Sequence, residues 1–337
     1  MLVPFVVDAE SVVPDPSWSG SQIRACHNSL INSWIDYGLL AYDGNSLQES
    51  NLYKHITSLP QSVRTRWLEV LSRLPLLSTP GWKSRVTPSL MFEFADVAQL
   101  AFVDDAQAEI EFSFDEGSDH SYLNISDKKI AVCRILNAAD AIAFKEASIL
   151  SKSHIQVGDT LQNIWDTRFQ SLAKAPIKKI TIVDRFAIRN HFNSPQNQLS
   201  GIERFLRLLD KDATGDRYIK FYSTWPEELP DGNRVTIEEI ESDFRLIFNR
   251  LPRRKIKRIK VFLVPNAGFR KDSHDRFIRF GDYVWDIGKG LEIFGAPACK
   301  DRSQAAFKTI FFEEDSYMVV ENDLATNVKT RQINEIR

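Results

Sequence analysis

His274 opens a stretch of groups able to act together on a phosphate. Within VPNAGFRKDSHDRFIRFGDYVWDIGKGLEIFG, residues 264–295, His274 and Arg276 stand two apart at the start of an apolar strand. That spacing sends both side chains from one face. A turn at Gly281 and Asp282 returns the chain through YVWDIG to Gly288, Lys289 and Gly290, a loop whose backbone is able to approach an anion closely. Imidazole, guanidinium, ammonium and backbone N–H groups would then converge. In such a set His274 serves as nucleophile or general base, and Arg276 and Lys289 neutralise the phosphate oxygens. Gly288, Gly290, Arg279 and Arg185 complete the expected phosphate-binding group. The competing reading is structural, with Asp275 and Arg276 forming a surface pair of little energetic value.

Two further constellations carry chemistry. RLPRRKIKRIK, residues 250–260, is the densest basic stretch, and Arg253, Arg254, Lys255, Lys257 and Arg258 suit a polyanion through sequence-independent attraction to phosphates. At the other end of the chain FVVDAES closes an apolar run at Asp8, and AFVDDAQAEIEF offers Asp104 and Asp105. Carboxylates at strand ends are what a magnesium- or manganese-dependent nuclease needs, since hard oxygen ligands hold the ions that clamp a phosphodiester. Acidic turns after strands are also common as plain solvated loops. His27, His55, His120 and His154 show no metal-ligand spacing, and Cys26, Cys133 and Cys299 are too few and too scattered for a disulfide framework or a zinc set.

The elements that must position these groups fall into two halves. Over 337 residues the net charge is −2, but residues 1–150 carry 11 Lys and Arg against 19 Asp and Glu, and residues 151–337 carry 32 against 26. The first half is therefore acidic at −8 and the second basic at +6. We expect an acidic α/β domain over 1–150, a helical linker over 151–176, and a second α/β domain over 177–337. In the first, the patterning predicts a strand over 2–8, helices over 23–40 and 52–77, strands over 101–104, 109–114 and 123–131, and a helix over 138–151; residues 91–100 fit helix and strand equally. In the second, strands over 179–186, 218–224 and 256–264 alternate with helices over 199–209 and 236–251, and three extended pieces follow over 275–280, 283–287 and 307–312. Thr236 with Glu239 reads as a capping box.

The 264–295 segment resembles a divergent phospholipase D motif. More specifically, HDRFIRFGDYVWDIGKGLEIF is similar to the phospholipase-D-like C-terminal domain of MIT-domain proteins and its bacterial relatives, over about residues 178–314. The resemblance implies a phospholipase-D-like α/β sandwich, His274 as its reactive residue, and no cofactor at that site. Three departures stand out. The family's lysine is Arg276, its next acidic position is displaced to Asp282, and its Gly-Ser and Asn element has become Gly288-Lys289-Gly290 with Glu292. Arginine holds phosphate bidentately but keeps its proton, so it replaces lysine only electrostatically. Active members pair two His-containing motifs, and this chain shows one. Cleavage would then need a homodimer or a partner, whereas binding alone would not. The first half weakly resembles PIN-like nucleases, which begin with an apolar strand ending in Asp.

These readings converge on a phosphodiester-engaging protein. One version is a nuclease effector in phage defence or mobile-element control, the setting being an analogy only. The other is a noncatalytic module that binds phosphate or an acidic lipid headgroup and positions a partner. No window reaches the roughly 18 to 20 apolar residues that span a bilayer, and Asp8 and Glu10 interrupt the opening run too early for a secretory signal. The expected location is the cytoplasm.

Overall fold

A computed structural model describes residues 1–337 except 14–15, 115–117, 119, 126, 196, 226–234, 270–275, 312–315, 334 and 337. The chain is mixed α/β with two sheets, and it divides into two compact units, Met1–Leu150 and Ser151–Arg337.

In the first unit the apolar run Val3–Val7 forms β1 at the middle of a six-stranded sheet. Helix α1 (Gly20–Tyr37) starts at a Ser19–Gln22 capping box and runs straight into β2 (Gly38–Asp43). Gly38 permits the handover, because a Cβ there would lie 2.7 Å from the Phe5 ring and 2.8 Å from the Trp34 backbone. Two helices follow, α2 (Asn51–Ser58) and α3 (Gln61–Arg73), where the sequence led us to expect one. Pro60 divides them, since it takes the N-cap position of α3 and cannot continue α2. Next come β3 (Leu77–Thr79), β4 (Leu100–Val103), α4 (Asp105–Ile110), β5 (His120–Ile125), β6 (Lys128–Arg134) and α5 (Ile142–Lys152). The strand expected over 109–114 is not formed. Asp104 caps α4 by accepting from the Gln107 N–H at 2.8 Å, and helix wins locally. The strand expected over 123–131 is a hairpin, β5 turning into β6.

The sheet order is β3-β2-β1-β4-β6-β5, parallel except at the β5 edge. Order reverses between β1 and β4, so Asp8 and Asp104 leave neighbouring strands at a topological switch point.

The second unit begins with residues 151–176, the expected helical linker, which group with this unit. They form α6 (Leu161–Ile164), a π turn over Trp165–Phe169 and α7 (Gln170–Lys174), with Trp165 and Phe169 fully buried. Ile155 bridges Ser303, and the Arg168 guanidinium lies over the Trp285 ring at 4.9 Å. An alternating series follows: β7 (Lys179–Asp184), α8 (Ala187–Phe192), α9 (Gly201–Asp212), β8 (Arg217–Thr224), α10 (Ile237–Asn249) and β9 (Ile256–Val264). Then come β10 (Arg276–Phe280), β11 (Tyr283–Ile287), β12 (Ala305–Thr309), α11 (Ser316–Thr326) and β13 (Arg331–Gln332).

The seven strands run β12-β11-β10-β7-β8-β9-β13, and β7, β8 and β9 are parallel while the rest join antiparallel. Both faces are covered. Val183, Tyr222, Phe262, Phe277 and Val284 pack with Tyr317 and Leu324 of α11 on one side. Trp285, next to Val284 and so on the opposite face, meets Phe169 at 5.9 Å and Phe307 at 5.2 Å. Strand β7 thus has a parallel neighbour on one side and an antiparallel one on the other, and its carboxyl end is where a ligand crevice is expected. No helix among the described residues is long and apolar enough to cross a membrane.

Candidate functional site

Asp184 ends β7, is 2% exposed, and organises that strand end. Its carboxylate accepts the Phe186 N–H at 3.0 Å and the Leu291 N–H at 2.7 Å. The second bond pins the turn after β11 against β7. Gly290 makes the approach feasible, because its φ is +54° and a Cβ there would overlap the Asp184 carboxylate. Arg276 begins β10 directly opposite Asp184 in the ladder. Its guanidinium donates to the Gly288 carbonyl and lies over the Phe186 ring at 4.8 Å. Its Nε is buried and has no hydrogen-bond partner. Arg185 reaches the same ring from the other chain segment, at 5.1 Å, while its Nε donates to Asn266 at 2.8 Å. The Arg185 carbonyl accepts from the Thr224 N–H at 3.1 Å and from the Ser223 and Thr224 hydroxyls, so the residue is fixed to the end of β8. Two guanidiniums therefore share one aromatic ring at the carboxyl ends of β7 and β8. That arrangement suits a phosphate gripped from two sides.

The remaining residues expected at this site behave differently. His274 lies outside the described residues. Lys289 is adjacent, but its ammonium is bonded to Asp301 at 2.6 Å, and that bond raises its pKa. It supplies positive potential beside the cluster. Arg279 leaves the opposite face of β10 from Arg276, being three residues on. There it donates to both oxygens of Glu321, and to the Thr181 hydroxyl. Burial is the largest single influence and opposes its charge, yet the Glu321 hydrogen bond and charge, together with Asp282 and Tyr222, outweigh it and the pKa is raised. Arg279 is a structural cation of the core under α11, not a phosphate ligand. The loop 288–290 does not form an open nest of donors either. The N–H of Gly288 bonds the Gln304 carbonyl at 3.0 Å, that of Lys289 the Ser303 hydroxyl at 3.1 Å, and that of Leu291 Asp184. The glycine at 290 matters for space.

The basic stripe is divided by the fold. Asp210, 0% exposed, accepts the backbone N–H groups of Arg253, Lys255 and Ile256 and so builds the turn before β9. Arg253 also donates to the Lys211 carbonyl, Lys257 faces Asp216 at 3.7 Å, and Arg258 bonds Glu335 at 2.7 Å. Arg254, at φ +52°, and Lys255 have no carboxylate partner among the described residues. The stripe sits at the amino end of β9, whereas Arg185 and Arg276 sit at the carboxyl ends of the parallel strands. Eight paired residues of β8 and β9 separate the two ends, roughly 26 Å at the usual strand rise. They are two surfaces, not one.

In the first unit Asp8 is fully buried and accepts from the Val86 N–H at 2.7 Å, the Gln107 amide at 2.8 Å, the Glu10 N–H at 3.0 Å and Arg85 at 3.3 Å. Asp104 holds the Gln107 N–H, so Gln107 links the two acids, and Ser11 donates to the Gln107 amide oxygen at 2.7 Å. Asp105 turns away to Arg134 at 2.9 Å. Among the described residues no group of three or more His, Cys, Asp and Glu side chains is placed to hold a metal ion.

Sequence reading missed His191. Its Nε2 bonds the Asp243 carboxylate at 2.5 Å and its Nδ1 bonds the Ser200 hydroxyl at 2.6 Å. Ser200 is itself the N-cap of α9 and only 2% exposed. One imidazole thus ties α8 to the start of α9 and to α10. His191 and Lys289 both line a cavity of about 500 Å³ next to the strand-end cluster. The partners lie 9 and 52 residues away, and no local pattern announces them.

No family model matches the chain, and no curated protein matches it. One solved structure is similar, described as the crystal structure of phosphatidylserine synthase from Haemophilus influenzae Rd KW20. It is 13% identical with a TM-score of 0.33, and the match covers 54% of this chain and 39% of that one, well under half its length. A likeness of that size carries no argument about chemistry.

Proposed function

We propose that the second unit engages a phosphodiester at the carboxyl ends of β7 and β8. Arg276 and Arg185 form the clamp, and Lys289 adds potential beside them. The observation that carries this reading is the pair of guanidiniums on the Phe186 ring, one of them with a buried, unpartnered Nε. A buried donor without a partner is costly, and a phosphate oxygen would relieve that cost. Cleavage, in the nuclease version, is assigned to His274 two residues before Arg276. Action in phage defence or mobile-element control, and a homodimer that brings two copies of His274 together, belong to this version.

A noncatalytic clamp for a phosphate or acidic lipid headgroup is the second reading. It is favoured by the firm pairing of Lys289 with Asp301, which leaves no free acid/base group among the described residues of the clamp. Fluorescence anisotropy with a labelled oligonucleotide, alongside flotation with phosphatidylserine vesicles, tests both. Arg276→Ala should weaken oligonucleotide binding roughly 10- to 100-fold, the loss of one charge-assisted contact. Binding unchanged by Arg276→Ala and Arg185→Ala together would defeat the proposal. Cleavage by the parent chain that His274→Ala abolishes selects the nuclease reading over the binding module.

A further inference from the structure

The cavity beside Lys289 differs in kind from the clamp. Its wall carries Lys289 and Lys300 against Glu292 and Asp301, a balance of charge unsuited to gathering phosphates. What distinguishes it is three carboxamides, Asn190, Asn193 and Gln198, whose side chains form no hydrogen bond among the described residues. Each offers a donor and an acceptor in one plane, the complement of a nucleobase edge. Ile202, Leu291 and Ile293 also line it, buried beneath its surface. An acyl chain would want an unbroken apolar wall, and this wall alternates.

Size and position agree. About 500 Å³ falls within the range of pockets that take ligands of nucleotide size. Ala187 and Lys289, both on its wall, directly follow Phe186 and Gly288, the two residues that hold the Arg276 guanidinium. A phosphate on the clamp therefore leaves its own sugar and base at the cavity mouth. The far wall is rigid, since His191 is held by Ser200 and Asp243 at once.

We infer that this cavity seats one unstacked base of a single-stranded nucleic acid whose phosphate lies on Arg276 and Arg185. The inference rests on the phosphodiester reading above and names its substrate class. A duplex would have to release a base first, so single strands are preferred.

The test uses the full chain and anisotropy with a labelled single-stranded oligonucleotide, an abasic strand of equal length and charge, and the matching duplex. Inorganic phosphate, glycerophosphoserine and nucleoside monophosphates serve as competitors. The intact strand should bind about tenfold or more tightly than the abasic one, since base-edge contacts discriminate by that order. The Asn190→Ala, Gln198→Ala double variant should erase that gap while leaving abasic binding and the melting temperature unchanged. Equal affinity for intact and abasic strands, with Arg276→Ala still harmful, would sink the base seat and leave the clamp standing. Competition by glycerophosphoserine stronger than by any nucleotide would replace the base with a lipid headgroup. Indifference of every strand to Arg276→Ala would remove the phosphodiester reading itself.

Discussion

The carboxylate of Asp184 occupies the space that a side chain at Gly290 would need, and the two residues lie on segments 106 positions apart. This close approach sets the position of Gly288, hence of the carbonyl that holds Arg276. Gly290→Ala should destabilise the second unit by about 3 kcal/mol, combining a positive φ with overpacking. Chemical denaturation measures the loss, and oligonucleotide binding should fall with it. A variant as stable as the parent would mean that Asp184 moves freely.

Arg276 and Arg279 should separate cleanly. Arg279→Ala leaves Glu321, 7% exposed, without its cation, and breaking such a buried pair costs about 3 to 5 kcal/mol. Arg276→Ala should cost much less in stability and more in binding. Melting temperatures and anisotropy on both variants check the contrast, and a stable Arg279→Ala that fails to bind would reverse the assignment.

His27 makes the first unit acid-sensitive. It is 2% exposed, accepts the Trp67 indole N–H at 3.1 Å, and burial lowers its pKa to about 4. Between the unfolded value near 6.5 and the folded one, the unfolded chain binds the extra proton, so stability falls as pH falls. From pH 7 to pH 5 this one group should remove about 2 kcal/mol. Urea midpoints at both pH values measure it. The His27→Gln variant should show a shallower fall, and an equal fall in both proteins would acquit His27.

Thiol chemistry should be selective. Burial pushes the Cys26 thiol up to about 12, and its Sγ donates to the Ile135 carbonyl at 3.7 Å. Cys133 is buried, whereas Cys299 is half-buried on the cavity wall. A native-state thiol titration at pH 8 should therefore label Cys299 well before the other two, though slowly, because burial also raises its pKa. Base-bearing oligonucleotide should slow that labelling further.

Within the basic stripe, Arg254 and Lys255 should matter more than Arg258. Changing the first two to Glu should flatten the salt dependence of nucleic-acid binding by about one unit per lost phosphate contact. Arg258→Glu should have a smaller effect, because Glu335 already compensates Arg258. Identical salt slopes for all variants would exclude this surface from binding.

The fold of the second unit was largely legible, and physics says why. Strands buried on both faces need long apolar or β-branched runs, so KITIVD, YIKFYST and IKRIKVFLV stand out. Thr236 and Glu239 form the expected capping box. Failures came where a cap or a break outweighed periodicity. Asp104 turned an alternating stretch into helix, and Pro60 divided a long helix. The site was less legible, because partners distant in sequence decide what a cation does. Glu321 claims Arg279 from 42 residues away, and Asp243 claims His191 from 52. Strand parity alone could have separated Arg276 from Arg279, since an odd spacing sends them to opposite faces.

Among the described residues, Asp210 holds the turn before β9 through main-chain N–H groups. The course of that turn therefore depends little on the charges it displays, although the Arg253 side chain also ties it to the Lys211 carbonyl and residue 254 must accept a positive φ. Lys255 is open to replacement, by an acid or by the residue of a different ligand preference, and position 254 to residues that tolerate a left-handed backbone, while the main chain keeps its course. Replacing Asp210 itself would let the turn go, whatever charges it carried.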